Sequence, residues 1–464
     1  MHTRSTAHRL HLPTLALAAS TLLISAQVSA QSPDPGAATK PEATAQATER
    51  TTTPANQGQT QQQVDAQSER LKRLEALLSE ENYGAAGTEG LAWIQSGDEP
   101  PDSALRLKIA NSLAWSNRLS AAIKEYEKLV RNSDQFQNAR IPLANTYRWS
   151  GRADLSVPLY EQALEDNEAN QDALDGMEYA ERDLRPRTTI EWTRDQDSDN
   201  LRLNTGTLTH RWRDTTLQQI YEVQTDLRTA QQNPNDPRTR HTGAAMRYTH
   251  TGLPLQPEVS ISTQGSPTSR WFAGLRVKLG ELPIHAEIAR ENFGMTAANA
   301  KALEAGLTAK RIGLTGSWSG AMGVLSSRLN AYEISDGNTM LTTNIKLAPN
   351  WRPLGVVVKP YASIDTRDLS FNTPNYWSPV EGSGSFGLGA SAEWAEKDWY
   401  FVLAGQLGTR IYGDAGNSWN ASIGAQRWLT RNTALTANLW GMASIRDGGR
   451  YRAHSLSLKL DRLW

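Results

Sequence analysis

The sequence predicts an α plus transmembrane β protein, in which a short array of α-helical hairpins precedes a C-terminal antiparallel β-barrel of about 16 strands. Three observations predict this fold class. An internal repeat with a 34-residue period lies in the first half of the chain. From residue 186 onward, apolar and polar residues alternate in short runs. Turn-forming residues separate these runs, and no stretch between them reads as a crossover helix.

Composition excludes several classes of function. The chain has 48 Lys+Arg against 49 Asp+Glu, a balance that argues against a nucleic-acid partner. It has no cysteine, which removes disulfides, thiolate metal sites, cysteine nucleophiles and the acylated cysteine of a lipoprotein. Hydrophobic residues make up 38% of the 464 residues and the mean hydropathy is -0.55, which argues against a bundle of transmembrane helices. No cofactor and no metal is expected.

Residues 1–30 predict a cleaved export signal. A basic start precedes an apolar stretch, and Val28-Ser29-Ala30 supplies small residues before a cut at Gln31. The alternative is an uncleaved anchor, but such a helix needs about 20 apolar residues, and Pro13 interrupts this stretch. Residues 31–63, rich in Gln, Ala, Thr and Pro, predict a disordered linker that acts as a spacer or tether.

Residues 64–185 carry the repeat. Residues 104–137 align with residues 138–171, and Asn117 and Gly151 fall at equivalent turns, where both residue types tolerate a left-handed backbone. The aromatic residues expected to pack the repeats are Trp115, Tyr126, Tyr147, Trp149 and Tyr160. The period and spacing resemble the tetratricopeptide family over these two repeats.

A degenerate third repeat is expected over residues 71–101, with Tyr83-Gly84-Ala85-Ala86 in its turn and a register that slips by about two residues. Residues 172–184 predict a closing helix, and Pro158 is expected to kink the helix that contains it. The resemblance implies a periplasmic concave surface that docks a partner protein. The alternative is a helical spacer that only orients the next domain.

Residues 186–464 read as strands with one apolar and one polar face. The polar face carries Arg, Lys, Gln and Asn in strand after strand, which favours a hydrated lumen over the packed core of a soluble sandwich or propeller. Trp399 and Trp419 lie near strand ends, as in interfacial girdles. We therefore expect an outer-membrane barrel. Between 15 and 17 alternating segments can be counted, and we expect sixteen because single-chain bacterial barrels favour even numbers.

The last predicted strand ends in an aromatic residue. Leu456, Leu458, Leu460 and Trp464 share one face, although Arg462 interrupts it. This pattern resembles the assembly signal of outer-membrane barrels. The resemblance implies that the barrel assembly machinery recognises the strand that ends in Trp464.

The residues expected to line the lumen mix both charges with amides and aromatic rings. They are Arg276, Lys278, Lys359, Tyr361, Asp365, Gln406, Arg410, Asn438, Trp440, Arg446, Lys459 and Asp461. Amides bind hydroxyl groups and aromatic faces stack on sugar rings, so the mixture favours a carbohydrate as the solute. A pore for a single inorganic ion is instead expected to be lined mainly by charges of one sign. The alternative is that a barrel interior is polar simply because it is wet.

The densest local motif is Asn375-Tyr376-Trp377-Ser378-Pro379, within residues 371–385. It is similar to the porin region of the outer-membrane cellulose-export subunit. The order of signal, repeats and barrel is also that of the poly-N-acetylglucosamine export porins, although those families usually carry more repeats. The resemblance implies an exopolysaccharide export porin with Tyr376 and Trp377 at the pore edge or in a gating loop. The alternative places both residues in an interfacial girdle.

Enzymatic activity is not expected. No Gly-x-Ser-x-Gly elbow or His-Glu-x-x-His run occurs, and His285-Ala286-Glu287 is a lone pair on one strand. The sequence therefore predicts a barrel that exports, or helps secrete, a polysaccharide of the cellulose or poly-N-acetylglucosamine type. Its expected partners are outer-membrane lipid, the polysaccharide and the periplasmic or synthase proteins docked by the repeats. The alternative is a non-transporting surface receptor or assembly scaffold, for which a plugged rather than an open lumen is expected.

Overall fold

The computed structural model describes residues 57–464, with short gaps at 81, 98–99, 101, 133, 234, 266–268, 281–282, 297–299, 321, 351–356, 380, 397 and 447–448. The expected export signal (1–30) and the greater part of the expected linker (31–63) lie outside the described residues. Within the described part of the chain, no helix is both long and apolar enough to cross a membrane.

The helical array precedes the barrel, as predicted. Within the described residues its helices are α1 (Gln57–Ser79), α2 (Tyr83–Gln95), α3 (Ser103–Trp115), α4 (Leu119–Asn132), α5 (Phe136–Trp149), α6 (Ala153–Asp166) and α7 (Gln171–Leu184). Asn117 and Gly151 have φ values of 61° and 85°, which confirms the left-handed turns expected at these two positions. The helix over 172–184 is present as α7, and Pro158 lies inside α6.

Two buried tyrosines hold equivalent places in the α3–α4 and α5–α6 hairpins. Tyr126 and Tyr160 are at most 1% exposed. The Tyr126 hydroxyl donates to Asn111 Oδ1 and the Tyr160 hydroxyl to Asn145 Oδ1, each over 2.6 Å. Each hairpin therefore buries a large ring and still satisfies its polar atom. Gly176 on α7 makes room for the Tyr160 ring, because a Cβ at this position would lie 2.4 Å from it.

The other expected packing residues lie at the margin of the same core. Tyr147 and Trp149 are partly buried against it. Trp115 is also partly buried, with its ring 4.9 Å from that of Tyr83 in an edge-on contact. The tetratricopeptide assignment itself stays a prediction that rests on the period and on this packing.

Two boundaries in the helical part differ from the prediction. The helix α1 (Gln57–Ser79) includes residues 57–63 of the segment expected to be disordered. Residues 57–73 contain no proline, so the helix is not interrupted before the turn that buries Leu74. The segment from Tyr83 to Ala86 forms the first turn of α2 and not the connecting turn, because the Asn82 side chain caps the helix by accepting from the backbone N–H of Ala85 (3.3 Å).

The second part is a closed antiparallel barrel in which sixteen strands are described, which confirms the expected number. The strands are β1 (Arg187–Asp197), β2 (Arg202–Arg213), β3 (Gln219–Gln231), β4 (Thr239–His250), β5 (Glu258–Gln264), β6 (Arg270–Lys278), β7 (Ile284–Asn292), β8 (Thr308–Gly320), β9 (Gly323–Ile334), β10 (Thr339–Pro349), β11 (Val358–Leu369), β12 (Ser383–Glu396), β13 (Trp399–Gly413), β14 (Ala415–Thr430), β15 (Thr433–Arg446) and β16 (Gly449–Leu463). Each strand pairs with its sequence neighbours, and β1 closes the barrel against β16. The β7–β8 connection contains two short helices that were not predicted, α8 (Phe293–Thr296) and α9 (Ala300–Glu304).

The barrel has two distinct ends. β1 starts at Arg187, just after α7, so odd-numbered strands run away from the helices and even-numbered strands run back. We call the two ends the helix-bearing end and the distal end. The outer face is apolar: Ile312 is 63% exposed, Leu407 71% and Trp271 68%. Side chains at alternate positions along each strand therefore point either to this apolar exterior or to the lumen.

The helical array rests on the rim at the helix-bearing end. Asn350 donates to Asn82 Oδ1 over 2.6 Å, and Gln256 donates to the backbone oxygen of Ser150 over 3.3 Å, so the turns of two hairpins touch turns of the barrel. A further contact comes from α7, where the guanidinium of Arg182 lies 4.2 Å from the centroid of the Trp428 ring. The array thus contacts the rim at several separate places around its circumference.

Candidate functional site in the barrel lumen

The inward positions of the strands define the candidate site. The expected lumen residues occupy positions that alternate with the exposed apolar ones. Gln406, for example, lies between Gly405 and the exposed Leu407 on β13. The structure places the following expected residues on the inward face: Arg276, Lys278, Lys359, Tyr361, Asp365, Gln406, Arg410, Asn438, Trp440, Arg446, Lys459 and Asp461. It does not bring them into one cluster but distributes them over β6, β11, β13, β15 and β16.

One wall of the lumen, from β6 to β11, is rich in cations. Arg276, Arg328, Lys346 and Lys359 all lie on the inward face in the half near the helices. The amino group of Lys346 lies 3.7 Å from the centroid of the Tyr361 ring, a cation–π contact. Among the described residues, Arg276 and Arg328 have no ion pair.

Other lumen cations are neutralised by carboxylates. Arg247 pairs with Glu222 at 2.6 Å and with Glu258 at 3.2 Å. Arg311 pairs with Glu287 and, over 2.8 Å, with Glu291. Of the inward arginines described on β6 to β11, Arg311 is paired with carboxylates and Arg367 contacts Trp377, whereas Arg276 and Arg328 form no ion pair.

The opposite wall, from β13 to β16, presents mainly neutral polar groups. Its inward positions include Gln406, Asn420, Gln426 and Asn438, together with the Trp440 ring. The apolar neighbours of these residues face outward, so the sequence alternation places amides along one side of the lumen. This wall can hydrogen-bond hydroxyl groups, while the wall from β6 to β11 offers cations.

The distal end is crossed by the β7–β8 connection. Leu303 is packed with Leu201 and Ala230 from the β2–β3 side of the barrel. Phe293, in the same connection, is packed with Tyr332 and Met340 of β9 and β10, on the other side. A segment that contacts opposite walls through their inward side chains must lie across the lumen. The sequence did not reveal this segment, since α8 and α9 are too short to show helical periodicity.

The motif at residues 375–379 forms a second inward segment, the β11–β12 connection. Tyr376 is 4% exposed. Its hydroxyl donates to Asp336 (3.0 Å) and accepts from the side-chain amide of Asn338 (3.0 Å). Burial, opposed by the Asn338 hydrogen bond and helped by the Asp336 carboxylate, raises the pKa of Tyr376 well above its usual range, so the hydroxyl keeps its proton.

Trp377 lies between two inward cations of different strands. Its ring centroid is 5.2 Å from the guanidinium carbon of Arg367 on β11 and 4.5 Å from that of Arg446 on β15. The backbone oxygen of Trp377 also accepts from Arg367 over 3.3 Å. Both aromatic residues of the motif therefore sit inside the distal mouth and not on the outer surface, where an interfacial girdle would place them.

The two inward segments meet. The rings of Phe293 and Tyr376 are 4.9 Å apart with an interplanar angle of 76°, an edge-to-face contact. Fully buried Asn338 ties the second segment to the β9–β10 turn, because it also donates to the backbone oxygen of Phe371 (2.8 Å). The distal mouth is thus narrowed by a small apolar contact, whereas the lumen beneath it is polar.

No group of three potential metal ligands is found among the described residues. His285 and Glu287 share the inward face of β7, but Glu287 is engaged by Arg311.

A closed antiparallel barrel of sixteen strands, with an apolar exterior and a polar lumen, is the architecture of outer-membrane porins. No family model matches the sequence, and no curated protein does. Among solved structures the chain is similar to Pseudomonas aeruginosa OccK11 (OpdR), with 11% identity, a TM-score of 0.35, and coverage of 60% of this chain and 96% of that one. It is also similar to P. aeruginosa OpdK with vanillate (7% identity, TM-score 0.35, 60% and 98% coverage) and to a mutant Rh. blastica porin (8%, 0.33, 60% and 99%).

Proposed function

We propose that this protein is a gated conduit in the outer membrane that exports, or helps secrete, a polysaccharide, with the helical array in the periplasm. The observation that carries the proposal is the division of the lumen into a neutral amide wall and a cationic wall. Sugar hydroxyl groups suit Gln406, Asn420 and Asn438, and sugar faces suit the Trp440 ring. No covalent chemistry is required of the residues along this path.

The membrane placement follows from the outer face. Apolar side chains exposed around a closed barrel need lipid, and closure leaves no unpaired strand edge in the hydrocarbon. The helical array has a polar exterior and contacts the rim at one end only, which supports our proposal that it lies in the periplasm. In this position its free surface would receive periplasmic or synthase partners.

The distal contact gives the conduit a closed state. Phe293 and Tyr376 meet in one edge-to-face ring pair, and such pairs contribute about 0.5–1.5 kcal/mol beyond their burial. A contact of this size can be broken by a polymer that advances through the lumen. In the proposed mechanism the two inward segments separate when the polysaccharide arrives.

The alternative function is a non-transporting receptor or scaffold. The meeting of two inward segments at the distal mouth favours it, because a permanently closed barrel conducts nothing. The two functions differ in whether the segments ever separate.

Conductance of the purified protein in planar bilayers tests the proposal. We expect discrete open and closed levels, and we expect cello-oligosaccharides or N-acetylglucosamine oligomers to interrupt the open level. Trp440→Ala should weaken this block, while Trp419→Ala, which changes a tryptophan on the outer face that is 47% exposed, should leave it unchanged. A correctly folded barrel that never conducts would overturn the conduit and support the scaffold.

A further inference from the structure

A basic pocket lies on the exterior of the barrel near its distal edge, away from the lumen. It is lined by Arg194, Arg202, Asn204, Thr229, Gln231 and Arg238. The strand residues of this set occupy the outward positions, in alternation with inward residues such as Leu203 and Ala230, which belong to the interior core. The pocket therefore opens toward the lipid side of the wall.

The strand register aligns the pocket with the apolar surface. Arg194 on β1 is opposite Asn204 on β2, Asn204 is opposite Thr229 on β3, and Thr229 is opposite Arg240 on β4. The row one step closer to the helices contains Trp192 and Leu227, which are 38% and 40% exposed. The basic row thus borders directly on the surface that contacts hydrocarbon, at the level of lipid headgroups.

The charge of the pocket is not compensated by carboxylates. Among the described residues no ion pair involves Arg194, Arg202, Arg238 or Arg240, and all four side chains are exposed. Asp236, on the loop that bears Arg238, accepts from the side-chain amide of Asn233 over 2.7 Å, and among the described residues it forms no ion pair with these arginines. Several guanidinium groups around one concave site are suited to phosphate, which they bind through paired N–H donors.

We propose that this pocket binds the phosphorylated sugar headgroup of the outer-leaflet glycolipid. The arginines would hold the phosphate groups, and Asn204 and Thr229 would hydrogen-bond the sugar, while the acyl chains would lie along Trp192, Leu227 and the neighbouring apolar positions. The inference rests on the membrane placement proposed above, since it needs the distal end to reach the outer leaflet. It is independent of what passes through the lumen.

The test compares lipid binding by the full protein in uncharged detergent. Bisphosphorylated lipid A, the same lipid without phosphates, and inorganic phosphate are titrated separately, and bound molecules are counted by native mass spectrometry. We expect bisphosphorylated lipid A to bind, and R194Q/R202Q to weaken it about tenfold or more, as expected from the loss of charge-assisted contacts. Lys310→Gln is the matched control, because Lys310 is also exposed near the distal edge but pairs with Glu333 (3.0 Å).

Two outcomes would overturn the proposal. Equal binding of lipid A with and without phosphates, or by R194Q/R202Q and the unaltered protein, would show that the arginines do not form the site. If the protein bound inorganic phosphate but did not bind lipid A, the pocket would be a site for a soluble anion. Heat-dependent migration on gels checks that each variant is folded, and a variant that loses lipid A should still conduct, which separates this site from the conduit.

Discussion

The helical array and the barrel use the same aliphatic residues in opposite ways. In the array, Ile109 and Leu113 are fully buried. In the barrel, Ile312 and Leu407 are more than 60% exposed, while the inward positions between such residues are polar. The medium around each part decides which face of its helices or strands points outward: the polar face in water and the apolar face in lipid. A hydrophobicity scale that always places isoleucine in the interior would give the wrong orientation for the strands of the barrel.

The largest expected effect comes from a matched pair of isoleucine substitutions. Ile109→Ala removes a completely buried side chain and should destabilise the array by about 2–5 kcal/mol, since it leaves a cavity among packed helices. Ile312→Ala, at a lipid-facing position 63% exposed to the exterior, leaves no cavity and should cost less, about 1–2 kcal/mol for the apolar surface lost. Urea titration followed by helical circular dichroism measures the first, and heat-dependent gel migration the second. Equal losses of stability from the two substitutions would contradict the proposed difference between the buried face of the array and the outer face of the barrel.

A charge placed on either face of β13 tests the barrel half of the comparison. Leu407→Arg puts a guanidinium at mid-strand on the outer face and should cost about 2–4 kcal/mol of folding free energy in lipid. Gln406→Arg, at the adjacent inward position, should be tolerated because water solvates it there. Folding into lipid vesicles over a urea series gives both values. If the inward substitution proved the more costly, our assignment of the two faces would be reversed.

The distal contact should respond to a smaller change. Tyr376→Ala removes the ring pair with Phe293 and the hydrogen bonds with Asp336 and Asn338. We expect the open fraction in single-channel records to rise about tenfold, as for a loss of roughly 1.4 kcal/mol. Phe371→Ala is the control, because this residue of the same connection is 44% exposed. An unchanged open fraction in Tyr376→Ala would place the gate elsewhere.

The smallest expected effect concerns ion selectivity. The unpaired Arg276 and Arg328 should make the open channel prefer anions, a preference screened by salt. The double substitution R276Q/R328Q should lower this preference, measured as the reversal potential in a potassium chloride gradient, without changing stability. Lys310→Gln on the outer face should leave the reversal potential unchanged. A cation-selective unaltered channel would show that the acidic residues of the lumen dominate.

Much of this architecture was readable from the sequence because it is periodic. The 34-residue repeat predicted the turns at Asn117 and Gly151, and the two-residue alternation indicated 15 to 17 strands, of which the even number, sixteen, is present. The same alternation assigned Gln406 and Asn438 to the inward face. Each of these inferences needs only the geometry of one helix or one strand.

The interior segments could not be read in the same way. Leu303 contacts Leu201, about a hundred residues earlier in the chain, and no local pattern encodes such a pairing. The motif containing Tyr376 and Trp377 was noticed for its composition, but its partners Phe293, Asn338 and Arg446 come from three other connections or strands. The exterior pocket was missed because its arginines come from two strands and one loop, which only the strand register brings together.

The closure of β1 on β16 also constrains how the protein is made. The hydrogen bond from Thr189 to Asp461 joins residues 272 positions apart, whereas the contacts of the helical array are formed between neighbouring hairpins. The array can therefore be complete while β16 is still absent, and the seam has to form late. Until then, β1 and whichever strand was formed most recently present open edges to other chains. The main hazard in this protein's biogenesis is therefore the exposure of those strand edges, and not the packing of a core.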